Sequence, residues 1–166
     1  ITMGKPMGNG IPISGLAAKE DVLAAFSDKL PYFNTFGGNP VSIAAAQAVL
    51  KYIKDENLQE HCKKAGAALL KALKEVQERH PESVGDVRGA GLFLGFEFVK
   101  NDGNKTPDKD MALNVIEMLR DEHILTSVIG HYGNILKLRP PMVFSENDID
   151  WFATSLDKCI TKLENK

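Results

Sequence analysis

Apolar residues recur at helical spacing in three long stretches of the chain. Leu58, Cys62, Ala65, Leu69, Leu73 and Val76 form one stripe. Met111, Val115, Met118 and Leu119 form a second, and Ile149, Phe152, Leu156, Ile160 and Leu163 a third. Each stripe predicts an amphipathic helix with one face on a core. The first should stop near His80-Pro81, because proline lacks an N–H and blocks continuation. Ser145 stands where the third needs an N-cap. Upstream, "EDVLAAF" (Glu20 to Phe26) predicts a short amphipathic helix. Asn39-Pro40 predicts an abrupt start to another, with Asn39 as cap and Pro40 at the first helical position. That helix carries Ala44, Ala45, Ala46 and Ala48, small enough to let another element approach closely.

The pattern changes after Pro81. "VGDVRGAGLFLGFEFV" is rich in glycine, valine and phenylalanine and alternates in its second half, which predicts strands. "ILTSV" and "NILKLRPPMVF" predict two more around the turn "GHYGN". "GIPISGLAAK" reads as a loop entering a short strand, and "LPYFNTFGGNP" and "NDGNKTP" as turns. The expected architecture is α/β, with a break near residues 78–84. Residues 1–80 form one part and 81–166 an α+β part.

Composition narrows the function classes. The chain has 166 residues, 43% hydrophobic and 25% charged, which is enough apolar material for a core. A net charge of -2 gives no general attraction for nucleic acid or an anionic membrane. No apolar run is long enough to span a bilayer, and no secretory leader is evident. Cys62 and Cys159 fall on helix stripes and read as buried free thiols, which favours a cytoplasmic setting. The histidines lack metal-site spacing, so no metal is expected. The chain opens on Ile1, and Met3 comes late for a start, so it reads as the back part of a longer protein.

Two short stretches carry candidate chemistry. In "ITMGKPMGNG" a single lysine, Lys5, stands among Gly4, Pro6, Gly8 and Gly10. A lysine amine forms Schiff bases with carbonyl cofactors when deprotonated, and glycines let a ring lie close to the backbone. In "TFGGNP", two glycines precede a helix start whose N–H groups and dipole suit an anion, phosphate above all, and Thr35 adds a hydroxyl donor. Taken singly, each has a plain explanation: a solvated loop lysine and a capped helix. Arg88 reads as bracing a turn, and Trp151 and Phe152 as packing. His131 and Tyr132 fall in a turn near the expected site.

Together, "MGKPMGNGIPISG", "YFNTFGGNPVS", "VGDVRGAGLFLGFEFVK" and "NILKLRPPMVFS", in that order, closely resemble class III pyridoxal-phosphate (PLP) aminotransferases, of fold type I. Within that family the chain is similar to the branch of alanine–glyoxylate aminotransferase 2-like proteins and phosphoethanolamine phospho-lyases. The resemblance implies that the chain is the tail of the large domain plus the C-terminal small domain. It also implies that Lys5 forms the internal aldimine with PLP, and that Thr35 reaches the cofactor phosphate of the neighbouring subunit in a homodimer. The family's pyridine-binding aspartate, main phosphate loop and ring-stacking aromatic would lie upstream, so the fragment alone is expected to be inactive and to expose apolar helix faces.

The family often places a carboxylate-clamping arginine three residues before a Pro-Pro pair. Here that position is Lys137, with Arg139 two residues on. In a strand the two would face one side, with Leu138 facing away. Both are candidate substrate-binding residues, the lysine being a compact charge that serves phosphate well. The first expectation is amino-group transfer between an amine and a 2-oxo acid. The alternatives are phosphate elimination from a phosphorylated amino alcohol, and a non-catalytic dimerisation or scaffold domain.

Overall fold

A computed structural model describes residues 1–165. The chain divides into two compact units, Ile1–Asn57 and a second from Leu58 onward. In the first, β1 (Thr2–Met3) pairs antiparallel with β2 (Gly15–Leu16). A 3₁₀ turn (Lys5–Gly8), α1 (Glu20–Ser27) and α2 (Pro40–Asp55) complete it, and α2 packs against the 3₁₀ turn. Gly8 is the one buried residue of this unit. Phe33 and Phe36 are 86% and 81% exposed, and α2 buries none of its alanines.

The second unit runs α3 (Leu58–Arg79), β3 (Val84–Ala90), β4 (Phe93–Phe98), α4 (Lys109–Asp121), β5 (Ser127–Ile129), β6 (Ile135–Leu138) and α5 (Glu146–Glu164). The strands form an antiparallel sheet in the order β3-β4-β6-β5. Its inner face presents Val87, Leu94, Phe96, Phe98, Leu136 and Leu138 to one core with Leu69, Leu73 and Val76 of α3, Val115 and Leu119 of α4, and Leu156 and Ile160 of α5. α3 and α4 pack on the sheet, and α5 packs on both helices. The three helix stripes are therefore the core faces their spacing predicts. Burying each such side chain is worth about 1.5–3 kcal/mol, which makes this sheet-and-helix layer the stable part of the chain. Asp148 completes the Ser145 cap by accepting from its N–H and hydroxyl, contacts that hold the carboxyl below its usual range. Cys159 is buried, which pushes its thiol up and keeps it protonated, while Cys62 is half-buried.

Two differences from the sequence reading have physical causes. α3, read with the first part of the chain, packs on the sheet of the second unit through its apolar stripe. The strand expected through Phe144 ends at Leu138, before Pro140 and Pro141, which cannot donate to a ladder. Arg139 thus stands one residue beyond the strand.

His80, at the end of α3, is only 6% exposed. Its Nδ1 lies 2.7 Å from Glu164 Oε2 and its Nε2 3.2 Å from Asp157 Oδ1, both on α5. Arg79 donates to the same Asp157 oxygen and Ser83 to Glu164. Replacing His80 with alanine leaves two carboxylates facing a hole. The expected loss is about 2–3 kcal/mol in urea unfolding, and an unchanged midpoint would contradict it.

Candidate active site

Lys5 opens the 3₁₀ turn with φ 51°, a left-handed conformation costly for any residue with a Cβ. Hydrogen bonds from Met7 N to Gly4 O, Asn9 N to Pro6 O and Ile11 N to Gly8 O hold the loop in place. A side chain at Gly8 would meet Ile13 Cγ2 at 2.9 Å, so a larger residue there has to displace Ile13.

The structure brings this loop to the Thr35–Asn39 turn. Lys5, Ser14, Asn34, Gly37, Asn39 and Ser42 line one cleft of about 570 Å³. Ser14, Asn34 and Ser42 were not singled out by the sequence reading, since nothing in their local pattern marks them; only the folding of residues 5–42 does. Asn34 shapes the turn: its Oδ1 accepts from Phe36 N at 3.2 Å and Gly37 N at 3.1 Å.

The helix start differs from the expected open anion site. Asn39 Oδ1 accepts from Val41 N at 3.0 Å and Ser42 N at 3.3 Å, so its own cap occupies those amides. Among the described residues, the Gly38 N–H and the exposed Thr35 hydroxyl have no hydrogen-bond partner. Gly38 has φ 72°, and a Cβ there would project into open space.

In the second unit, Lys137 and Arg139 line a cleft of about 460 Å³ at the end of β6, with Ser127, Pro140, Phe144 and Phe152. Leu136 and Leu138 are buried in the core, so alternation turns Lys137 onto the open face of the sheet. Lys137 is half-buried and Arg139 exposed, and among the described residues neither enters an ion pair. The Gly130–Gly133 turn carries His131 and Tyr132 at the opposite end of β6 from Arg139, so these two do not share that cleft. Arg88 braces strands rather than a turn. Its Nη1 lies 2.7 Å from Glu97 Oε2 on β4 and 2.6 Å from Asp86 Oδ2, contacts that hold the guanidinium above its usual value. Among the described residues no cluster of His, Cys, Asp and Glu is placed to hold a metal ion, and no helix is long and apolar enough to cross a membrane.

A loop lysine facing a Gly-Gly turn, joined to a four-stranded antiparallel sheet unit, matches a known family. The class-III aminotransferase model matches residues 1–160, and the chain belongs to that family. It is a mixed helix-and-sheet piece of the fold type I enzymes, and the family's cofactor is PLP.

Among its relatives, ethanolamine-phosphate phospho-lyase homolog 1 of Caenorhabditis elegans is 45% identical over 162 residues, covering 97% of this chain and 34% of the relative. An alanine–glyoxylate aminotransferase 2-like protein of Drosophila melanogaster is 39% identical, over 97% of this chain and 33% of the relative. A solved phospholyase from Arthrobacter, in complex with phosphoethanolamine, superposes with a TM-score of 0.91 at 39% identity, over 96% of this chain and 38% of that one. The chain spans about a third of the length of the curated relatives it matches.

The residues present fit part of the cofactor. Lys5 offers an amine for its aldehyde. Among the described residues the Thr35 hydroxyl and Gly38 N–H are unspent donors suited to a phosphate ester; Gly38 faces open space, whereas the Asn34 side chain fills the space beside Gly37 and Thr35 does not line the Lys5 cleft.

Proposed function

We propose that the chain is part of a PLP-dependent enzyme that eliminates phosphate from a phosphorylated amino alcohol, working as a homodimer. The observation that carries this reading is Lys137 on the open sheet face, without an ion-pair partner among the described residues, where the family often has an arginine. A lysine is a compact charge suited to phosphate, whereas arginine's fork suits a carboxylate. The names of the C. elegans and Arthrobacter relatives support it.

The bound cofactor supplies an electron sink for carbanion chemistry. Lys5 Nζ would hold the cofactor through its amine. Its amine, when free, would take the proton from the amine-bearing carbon while phosphate ion leaves the neighbouring carbon with the C–O bonding pair, and the unsaturated amine left behind would take up water to give a carbonyl compound and ammonia. Thr35 would donate its hydroxyl to the phosphate of the cofactor bound by the neighbouring subunit. Lys137 and Arg139 orient the substrate by its acidic end and do no bond chemistry. Amino-group transfer to a 2-oxo acid is the second reading, favoured by the name of the Drosophila relative and by a Bacillus anthracis aminotransferase that superposes with a TM-score of 0.86. A pure scaffold role gives no purpose to a lysine set among glycines.

Replacing Lys137 with alanine in the longer enzyme should lower kcat/KM for phosphoethanolamine roughly ten- to a hundredfold through KM, for loss of a contact worth about 1.5–3 kcal/mol. Assaying phosphate release beside amino transfer separates the readings. Release that is hit hardest supports elimination, and transfer alone supports the second reading. An unchanged KM removes Lys137 from the site.

A further inference from the structure

We propose that Arg88 is a positioning residue: it holds Glu97 away from Lys137 and so keeps the Lys137 amine free for an acidic group of the substrate. The inference rests on the reading of Lys137 given above.

The open face of the sheet carries the argument. Strand register places Arg88, Gly95, Lys137 and Ser127 in one row across β3, β4, β6 and β5. The adjacent row is Asp86, Glu97, Ile135 and Ile129. Phe96, Phe98, Leu136 and Leu138 alternate with these positions and are buried, so both rows lie on the face away from the helices. Glu97 is therefore the diagonal neighbour of two cations, Arg88 on one flanking strand and Lys137 on the other. Diagonal neighbours in an antiparallel sheet stand about 7–8 Å apart at Cα, within reach of long side chains. Between the cations lies Gly95, which has no side chain to separate them.

Glu97 goes to Arg88, at 2.7 Å. The same guanidinium nitrogen takes Asp86 at 2.6 Å, which a planar guanidinium with five donors accommodates better than an ammonium. Two carboxylates and one guanidinium sum to a single negative charge in this cluster. Without Arg88 the sum is two, and Lys137 is the cation that the register leaves nearest to Glu97. An ion pair there would place a carboxylate where the substrate's anion has to bind.

Three variants test this. In a crystal structure of Arg88→Met, the Glu97 carboxylate is expected within about 4 Å of Lys137 Nζ. In the longer enzyme the same substitution should raise KM for phosphoethanolamine about two- to fivefold, the range of an exposed ion pair, with kcat unchanged. Arg88→Met combined with Glu97→Gln should restore KM, which a merely structural loss at β3 would not do. Arg88→Gln serves the same purpose should methionine disturb the strand. Glu97 remaining apart from Lys137 without Arg88, or a KM rise that Glu97→Gln fails to relieve, overturns the proposal. Lys137→Ala with an unchanged KM overturns the substrate reading on which it rests.

Discussion

Gly66→Ala should unfold the C-terminal unit at far lower urea than the parent chain. Gly66 lies inside α3, where alanine ordinarily stabilises a helix by about 0.5–1 kcal/mol. Here the sign reverses. A Cβ at Gly66 would fall 2.1 Å from Gly91 O and 2.3 Å from Gly91 C. These are backbone atoms of the β3–β4 turn, so no rotamer change relieves the clash. Gly91 itself has φ 53°, which fixes the turn's path. Either α3 lifts from the sheet, pulling Leu69, Leu73 and Val76 out of the core, or the turn deforms. Overpacking against a yielding side chain costs about 1–3 kcal/mol, and an unyielding backbone puts this case at about 3 kcal/mol or more. That is a large share of the roughly 5–15 kcal/mol of a typical domain. An unchanged or raised urea midpoint would mean that α3 does not approach the turn this closely.

Lys5→Ala should abolish turnover in the longer enzyme while leaving the C-terminal unit as stable as before. Lys5 is exposed and contributes no burial, so its loss costs chemistry and not folding. The proposed roles of its amine, holding the cofactor and moving the substrate proton, have no substitute among the residues lining its cleft: Ser14, Asn34, Asn39 and Ser42 offer only neutral hydroxyls and amides. General base catalysis alone contributes about 10²–10⁴-fold, which sets a floor for the drop in kcat. Lys5→Arg should not rescue it, because a guanidinium stays protonated. Residual activity within tenfold of the parent would place the essential amine elsewhere.

What the sequence could say followed from local physics. Helical stripes are local, and the structure uses all three as core faces. Pro81 and Ser145 mark helix ends because their effects act within a few residues, and Asn39-Pro40 starts α2 for the same reason. The end of β6 was missed because alternation through "KLRPPMVF" mimics a strand past the point where Pro140 and Pro141 break the ladder. The two-residue strand β1 is too short to leave a period.

The candidate site was legible where a motif concentrates chemistry, at Lys5 and Thr35, and at Lys137 and Arg139. It was illegible where partners come from distant positions. Asn34 and Ser14 face Lys5 only because the chain folds back. The sequence reading takes Asn39 as the cap and also offers α2's first amides to an anion, and the cap itself accepts from two of them. Arg88 looked like a turn residue because its carboxylate partner Glu97 becomes its neighbour only through strand register.

The central claim is that the Lys5 loop is built around its amine. Borohydride reduction of the longer enzyme loaded with PLP, followed by peptide mapping, tests it most directly. The pyridoxyl group is expected on the peptide containing "MGKPMGNG", at Lys5. A label on any other lysine, with Lys5 unmodified, would contradict the account.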